Sequence, residues 1–314
     1  MYRYILKRLL MMIPVLIGVT FVVFCIMDMT PGNPAQMILG EAATPESIAK
    51  LEEELGLNGS LIERYIRYMA DLVTGDMGVS YKNGLSVAEQ IFEKLPNTIL
   101  LASSGVLVAV CICIPMGIIS ARKQYTLFDN FAMLFALIGT SMPSFWLGLL
   151  FVIIFSLNLG ILPASGMGAG GLETLKSLIL PALTIGTGTA AVIARMTRSS
   201  MLEVIRQEYI DTARSKGIKE SRVVTKHMLK NALIPIVTVI GLQFGLLLGG
   251  SVMTESIFSW PGLGRYVLEA INMKDTPVVM GSVIVMSVLF SMVNFCVDIL
   301  YAYIDPRIKS QYKR

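Results

Sequence analysis

Six long apolar runs separated by charged connections constrain this chain more than any other feature: Leu9–Met27, Thr98–Ser120, Phe131–Leu157, Leu178–Ala194, Ala232–Met253 and Val278–Tyr301. A helix needs about 20 mostly apolar residues to cross the hydrocarbon of a bilayer. The runs are continuous rather than alternating, which predicts spanning helices and not a barrel. The fourth is the shortest and least regular, with Pro181, Gly186 and Gly188 inside it. Only 15% of the 314 residues are charged, against roughly 25% in a soluble domain. The expectation is an all-α polytopic protein with six transmembrane helices, solvated by the lipid bilayer.

Lys and Arg set the orientation, because they accumulate on the cytoplasmic side. Arg3, Lys7 and Arg8 precede the first run, Arg122 and Lys123 follow the second, nine lie between Arg195 and Lys230, and four between Arg307 and Arg314. Eighteen of the 26 basic residues thus fall on one side, which predicts both termini in the cytoplasm. The first run resembles a signal peptide, but it is long and Met27-Asp-Met-Thr-Pro31 follows it, so it reads as a retained span. Cys25, Cys111, Cys113 and Cys296 all lie within runs and lack Cys-x-x-Cys spacing, which reads as apolar packing and not as a metal or redox site.

The connection from Asp28 to Asn97 is long and acidic. Thr44 with Pro45 starts one helix that Gly56 stops, and Ser60 with Glu63 forms a capping box for a second that Gly75 ends. This is a small folded element outside the membrane, either a docking surface or a simple cap. Gly166-Met-Gly-Ala-Gly-Gly171 lies in the next external connection and reads as a loop, since a phosphate cradle needs a strand before it and a helix after it. The chain contains no phosphate-binding Gly-x-x-x-x-Gly-Lys motif, and no nucleic-acid partner, cofactor or metal site is expected.

Gly241, Gly245 and Gly249, each four apart, share one helix face and admit a close neighbour, either within the chain or in a second membrane subunit. Ser256-Ile-Phe-Ser-Trp-Pro-Gly-Leu-Gly264 follows on the outer side. There Phe258, Trp260, Pro261 and Gly262 are candidates for an outer gate, or Trp260 for an interfacial anchor, with Pro261, Gly262 and Gly264 breaking any helix. Asp298 is the one acidic residue inside an expected span and reads either as functional or as structurally paired. His227, the sole histidine, reads as a surface residue.

The basic cytoplasmic connection carries Glu208-Tyr-Ile-Asp-Thr-Ala-Arg-Ser-Lys-Gly217. Leu202, Ile205, Tyr209 and Ala213 recur at helical spacing from Met201 to Lys216, opposite Glu203, Arg206, Asp211 and Arg214. Gly217 should end this helix and a second basic helix should lead to Asn231. Such a short helix can bind anionic headgroups, or it can carry a rigid-body push from a partner.

Asp211-Thr212-Ala213, with Gly217 after three intervening residues, resembles the Glu-Ala-Ala-x-x-x-Gly signature of binding-protein-dependent ABC importer permeases, with Asp for Glu and Thr for Ala. Tyr4-Ile-Leu-Lys-Arg-Leu-Leu10, Thr30-Pro-Gly-Asn-Pro34, Arg195-Met-Thr-Arg-Ser-Ser-Met-Leu-Glu203, Phe258-Ser-Trp-Pro-Gly-Leu-Gly264 and Asp305-Pro-Arg307 resemble the dipeptide, oligopeptide and nickel branch, the dipeptide type above all. The resemblance implies a type I ABC importer permease fold in a bacterial cell membrane and no enzymatic activity in the chain itself. It implies a homologous second permease, two cytoplasmic ABC ATPases and an extracytoplasmic solute-binding protein as partners. Glu208, Asp211, Ala213, Arg214 and Gly217 would then belong to the surface that meets the ATPases. The implied organisation is 1–27 for the cytoplasmic end and first span, 28–97 for an extracytoplasmic helical region, 98–303 for a five-helix domain with a coupling segment at 200–232, and 304–314 for a cytoplasmic tail.

Peptides are the expected solute, with nickel chelates or glutathione as alternatives. An ion-coupled secondary transporter would need charges near the midplane in repeated halves. An intramembrane enzyme would need a paired nucleophile and base or clustered ligands. The runs offer neither.

Overall fold

The computed structural model describes residues 2–40 and 42–304. The regular elements among them are helices, with one isolated antiparallel bridge between Val79 and Ser86. The chain forms two compact units, one of residues up to Thr98 with Pro261–Ser291, the other of Ile99–Trp260 with the chain from Met292.

In the first unit, α1 (Tyr2–Met29) is followed by α2 (Pro34–Leu39), α3 (Pro45–Glu54) and α4 (Leu61–Val73). The expected caps form. The Thr44 side chain accepts from Ser47 N at 3.2 Å, and Ser60 and Glu63 exchange bonds of 2.8 and 3.4 Å. The Ser60 backbone N–H, and then its hydroxyl, hold the Glu63 carboxyl below its ordinary value. Sequence reasoning missed α2, whose cap is Asn33 with Pro34 at the first position. These helices are held on the first long helix, with α4 lying along α1. The Tyr65 hydroxyl donates to Ile17 O at 3.0 Å and lies 2.9 Å from Thr20 Oγ1, while Phe21 and Phe24 meet its ring edge-on and Arg64 pairs with Asp28.

α5 (Val87–Arg122) begins eleven residues ahead of the expected span. Its first turns are polar on one side, but Val87 and Ile91 are buried with Leu263, Val278 and Val279 in the first unit's core. An apolar scan finds the part of a helix that lipid can cover and not the part a neighbour covers.

The third expected span, Phe131–Leu157, is not one rod. α6 (Leu127–Ser141) and α7 (Ser144–Phe151), the latter continuing as a π-helical stretch to Asn158, are bent by 102°. Pro143 lacks an N–H and disfavours helical backbone at Met142, which is extended at φ −80°, ψ 129°. Among the described residues, five helices are long and apolar enough to cross a membrane, and six spans result if the bent pair counts as one.

α8 (Gly171–Ile205) is the longest correction to the reading of the fourth run. It has 35 residues and is the most buried spanning helix, with Pro181 held inside it. It packs against α6, α7 and the later α11. The glycine run ahead of it is tied down, with Gly166 N donating to Phe258 O at 2.8 Å and Ala169 N to Glu173 Oε2 at 3.2 Å.

After α8 come α9 (Glu208–Ser215), the short α10 (Glu220–Arg222) that passes through a π-helical stretch into α11 (Lys230–Gly250), α12 (Val252–Ile257), α13 (Leu263–Asn272) and α14 (Thr276–Ile304). Asp305-Pro-Arg307 and the basic tail lie outside the described residues, as do the side chains of Arg3, Lys7 and Arg8.

Candidate functional site

The charged connection after α8 folds into a short handle. One helix from Met201 to Lys216 was expected, but α8 stops at Ile205 and Gln207 is extended at φ −84°, ψ 137°. The break resets the helical phase. Tyr209, expected on the apolar face, is 42% exposed, and Ile210 is fully buried in its place. Ala213 keeps its expected role and is also buried.

Ile210 and Ala213 enter one apolar cluster with Ala121 of α5, Met201 of α8, Val223, Val224 and Met228 of the π-helical stretch, and Ala232 and Ile236 of α11. The buried face of α9 is thereby fixed to three long helices at once. Glu208, Asp211, Arg214 and Gly217 are exposed.

Gly217 ends α9 as expected, at φ +73°. Gly217 N donates to Arg214 O at 2.9 Å and Ile218 N to Ala213 O at 3.4 Å. This pair of bonds is the Schellman closure, which requires a left-handed residue at Gly217's position. Ile218 then packs back onto the cluster. Arg214 straps the turn, with Nη2 to Glu220 Oε1 at 3.1 Å and Nε to Oε2 at 3.3 Å, and Asp211 at 3.6 Å on its other side. The Glu220 carboxylate beside it raises the Arg214 pKa. A helix so held is a stiff lever with a mixed-charge outer face and an apolar root.

A second polar cluster stands at the base of the same helices, and sequence reasoning missed it. Hydropathy singles out Asp298 as the one acidic residue inside an expected span, but Asp129, just ahead of the third run, lies in the first turn of α6 and is 2% exposed. Arg198 of α8 donates to it twice, and Ser120 Oγ and Tyr125 N (3.0 Å) also donate. The only local signal was Thr126 three residues ahead, which caps α6 and accepts from Asp129 N at 3.4 Å. Asp298 is half-buried on α14.

The glycines divide. A Cβ on Gly241 would come within 2.0 Å of Val297 Cγ2, so this residue admits α14 closely. Gly245 is buried, but Gly249 is exposed with nothing within 4 Å of such a Cβ, so the three do not form one packing face. Further close approaches fall between α5 and α8, where a Cβ on Gly105 would sit 2.4 Å from Ile185 Cγ1 and one on Gly117 2.7 Å from Thr197 Cβ.

Phe258 and Trp260 are both buried in the second unit, so Trp260 is not an interfacial anchor. Trp260 joins Leu101, Leu178, Ala182 and Ile185, and the Phe258 ring fills the space left by Gly148. In the first unit Pro261 is exposed, its carbonyl accepting from Asn97 Nδ2 at 2.9 Å, and Gly262 is buried. The helix break ends there, since α13 starts at Leu263 and Gly264 lies inside it.

Among the described residues no group of three His, Cys, Asp or Glu could hold a metal ion. The four cysteines are free, and His227 is half-buried.

Residues 113–310 match the family described as binding-protein-dependent transport system inner membrane component, and residues 1–102 match its N-terminal region. The chain is 49% identical to the dipeptide transport system permease protein DppB of Alkalihalophilus pseudofirmus, over 98% of this chain and all of that one. It is 40% identical to the oligopeptide transport system permease protein AppB of Bacillus subtilis, again over 98% of this chain and all of the relative. A chain of the inward-facing MetNI methionine ABC transporter superposes with a TM-score of 0.55 at 18% identity, over 69% of this chain and 97% of that one. With both halves of the sequence matched and near-complete relatives at this identity, the chain belongs to the family of inner-membrane permease components of binding-protein-dependent ABC transport systems.

Proposed function

We propose that this chain forms half of the pathway of an ATP-driven importer for dipeptides or short oligopeptides in a bacterial cell membrane. The other half is a homologous permease, two cytoplasmic ATPases supply the energy, and an external binding protein delivers the solute. Both termini lie in the cytoplasm, in keeping with the basic residues on that side. The chain itself makes and breaks no bonds.

The observation that carries this reading is the two-faced α9: Ile210 and Ala213 are locked into α5, α8 and α11, and Glu208, Asp211 and Arg214 are left exposed. A partner gripping the outer face moves the roots of three helices together, because packed interiors shift as bodies and do not deform continuously. Glu208, Asp211, Arg214 and the Gly217 turn are the surface offered to the ATPase. Gly241 sets how closely α11 approaches α14 within the pathway wall.

Peptide as cargo rests on the dipeptide and oligopeptide relatives. A glutathione transport system permease of Escherichia coli is 40% identical over 98% of this chain, so glutathione is the competing solute. The test is ATP-driven uptake by the assembled importer in lipid vesicles, with Ala-Ala and glutathione in competition. Uptake of Ala-Ala that unlabelled glutathione leaves unchanged supports the reading. Uptake without ATP, or of glutathione alone, overturns it.

A further inference from the structure

The first unit holds a cavity of about 200 Å³ that coupling does not use. The turn around Ser80–Gln90, the start of α5, α13 and the start of α14 line it. Asp275 stands in its wall and is only 2% exposed. One carboxylate oxygen, Oδ2, accepts from Ser80 Oγ at 2.5 Å and from Lys82 N at 3.3 Å. The other, Oδ1, is buried and accepts no hydrogen bond, and the Tyr266 hydroxyl in the same wall is likewise buried without a partner. Native proteins leave few such groups, because a desolvated carboxylate oxygen without a donor is costly. The missing donor is one that a ligand would bring.

The rest of the wall narrows its chemistry. Glu269 is already paired with Arg265 at 3.0 Å, and Asn83 and Gln90 satisfy one another at 3.0 Å. A hard metal ion needs several oxygen ligands, and only one free carboxylate oxygen is available beside Lys82 and Lys94, which repel it. An ammonium needs less. The Lys94 ammonium already lies 5.2 Å from the centre of the Tyr266 ring, which marks that ring face as a seat for an alkylammonium. Burial, and then the charge of Asp275, push the Tyr266 hydroxyl up to about 12, so it stays a neutral donor at physiological pH. One buried carboxylate and two lysines on the same small cavity match a molecule with an ammonium at one end and a carboxylate at the other.

We propose that this cavity binds a small zwitterionic peptide, its α-ammonium on Asp275 Oδ1 and its carboxylate toward Lys82 and Lys94. The proposal deepens the peptide-import reading and rests on it, adding a site on the permease itself.

The test uses the full chain assembled with its partner subunits in lipid nanodiscs, without the binding protein. Saturation-transfer NMR measures Ala-Ala, N-acetyl-Ala-Ala and Ala-Ala amide. Ala-Ala should bind, and N-acetylation, which removes the ammonium, should weaken binding by at least about tenfold. Asp275→Asn should weaken Ala-Ala by a similar factor, since the amide oxygen can still accept from Ser80 and Lys82 N while the charge is lost. Lys94→Gln should weaken Ala-Ala but not its amide. No Ala-Ala binding to the wild type, equal binding of the N-acetyl form, or unchanged binding by Asp275→Asn overturns the proposal. The N-acetyl comparison requires no variant to fold. If ATP-driven uptake of Ala-Ala proceeds while any of those three results is obtained, this site is wrong and the importer reading stands. If uptake itself fails, the importer reading is wrong.

Discussion

Arg198 and Asp129 meet through two parallel hydrogen bonds of 2.6 Å, Nε to Oδ1 and Nη2 to Oδ2. The planar guanidinium and the carboxylate match in a fork that lysine could not reproduce. The bond joins the start of α6 to α8 seven residues before α8 ends, and Ser120 brings the end of α5 into the same cluster. α5 and α8, two of the helices on which α9 is rooted, are thereby tied to the first helix of the bent pair at one point.

Breaking this pair should be more damaging than removing it. Asp129→Ala leaves Arg198 facing a buried void and should cost about 3 kcal/mol, whereas Asp129→Leu with Arg198→Met should recover most of the loss. Thermal unfolding of the purified chain in detergent checks this, with the double variant melting above either single one.

The reset of phase at Gln207 gives neighbouring residues opposite fates. Ile210→Ala empties a fully buried site and should cost about 2–4 kcal/mol. Tyr209→Ala removes a surface ring and should stay within about 1 kcal/mol, including its bond from Asn231 Nδ2 at 3.0 Å. Chemical denaturation of the two variants separates them, and the reverse order would mean that α8 runs on unbroken into α9.

Gly217 has open space around it but a left-handed backbone. Gly217→Val should therefore act through strain alone, costing about 1–2 kcal/mol at the turn. ATP-driven uptake should fall by about tenfold at normal membrane abundance, the factor that a loss of this size produces in a rate. Gly217→Asn, which tolerates the same backbone, should keep most activity. Normal uptake by the valine variant would remove the turn from the coupling mechanism.

Gly241 and Gly249 look alike in sequence and should respond differently. Gly241→Ala drives a methyl into Val297 and should cost about 1–3 kcal/mol. Gly249→Ala meets open space and should be neutral or slightly stabilising, since alanine favours a helix by about 1 kcal/mol over glycine. Melting temperatures of the two single variants decide between a shared packing face and the divided one seen here.

Much of the local structure of α9 and its turn was legible in the sequence. Ala213 and Gly217 were identified with the correct burial and turn because helix ends are set by residues a few positions apart. The capped helices α3 and α4 were legible for the same reason, and so were the spanning runs, since lipid imposes apolarity on every exposed face. Ile210 was missed because a two-residue break rotates everything after it, and no propensity marks Arg206 or Gln207 as a break. The bend at Pro143 was hidden inside an apolar run that hydropathy reads as uninterrupted.

What the sequence determined by itself is a helical membrane chain with a short charged helix between two long apolar ones, because bilayer thickness, helix caps and glycine backbone freedom all act locally. Tertiary structure alone decided that Asp129 is answered by an arginine 69 positions away, that Gly241 and not Gly249 admits a neighbour, that Trp260 is core, and that Asp275 keeps one oxygen without a donor. Each of these depends on which distant side chain arrives at a given point, and that is set by how helices pack around one another.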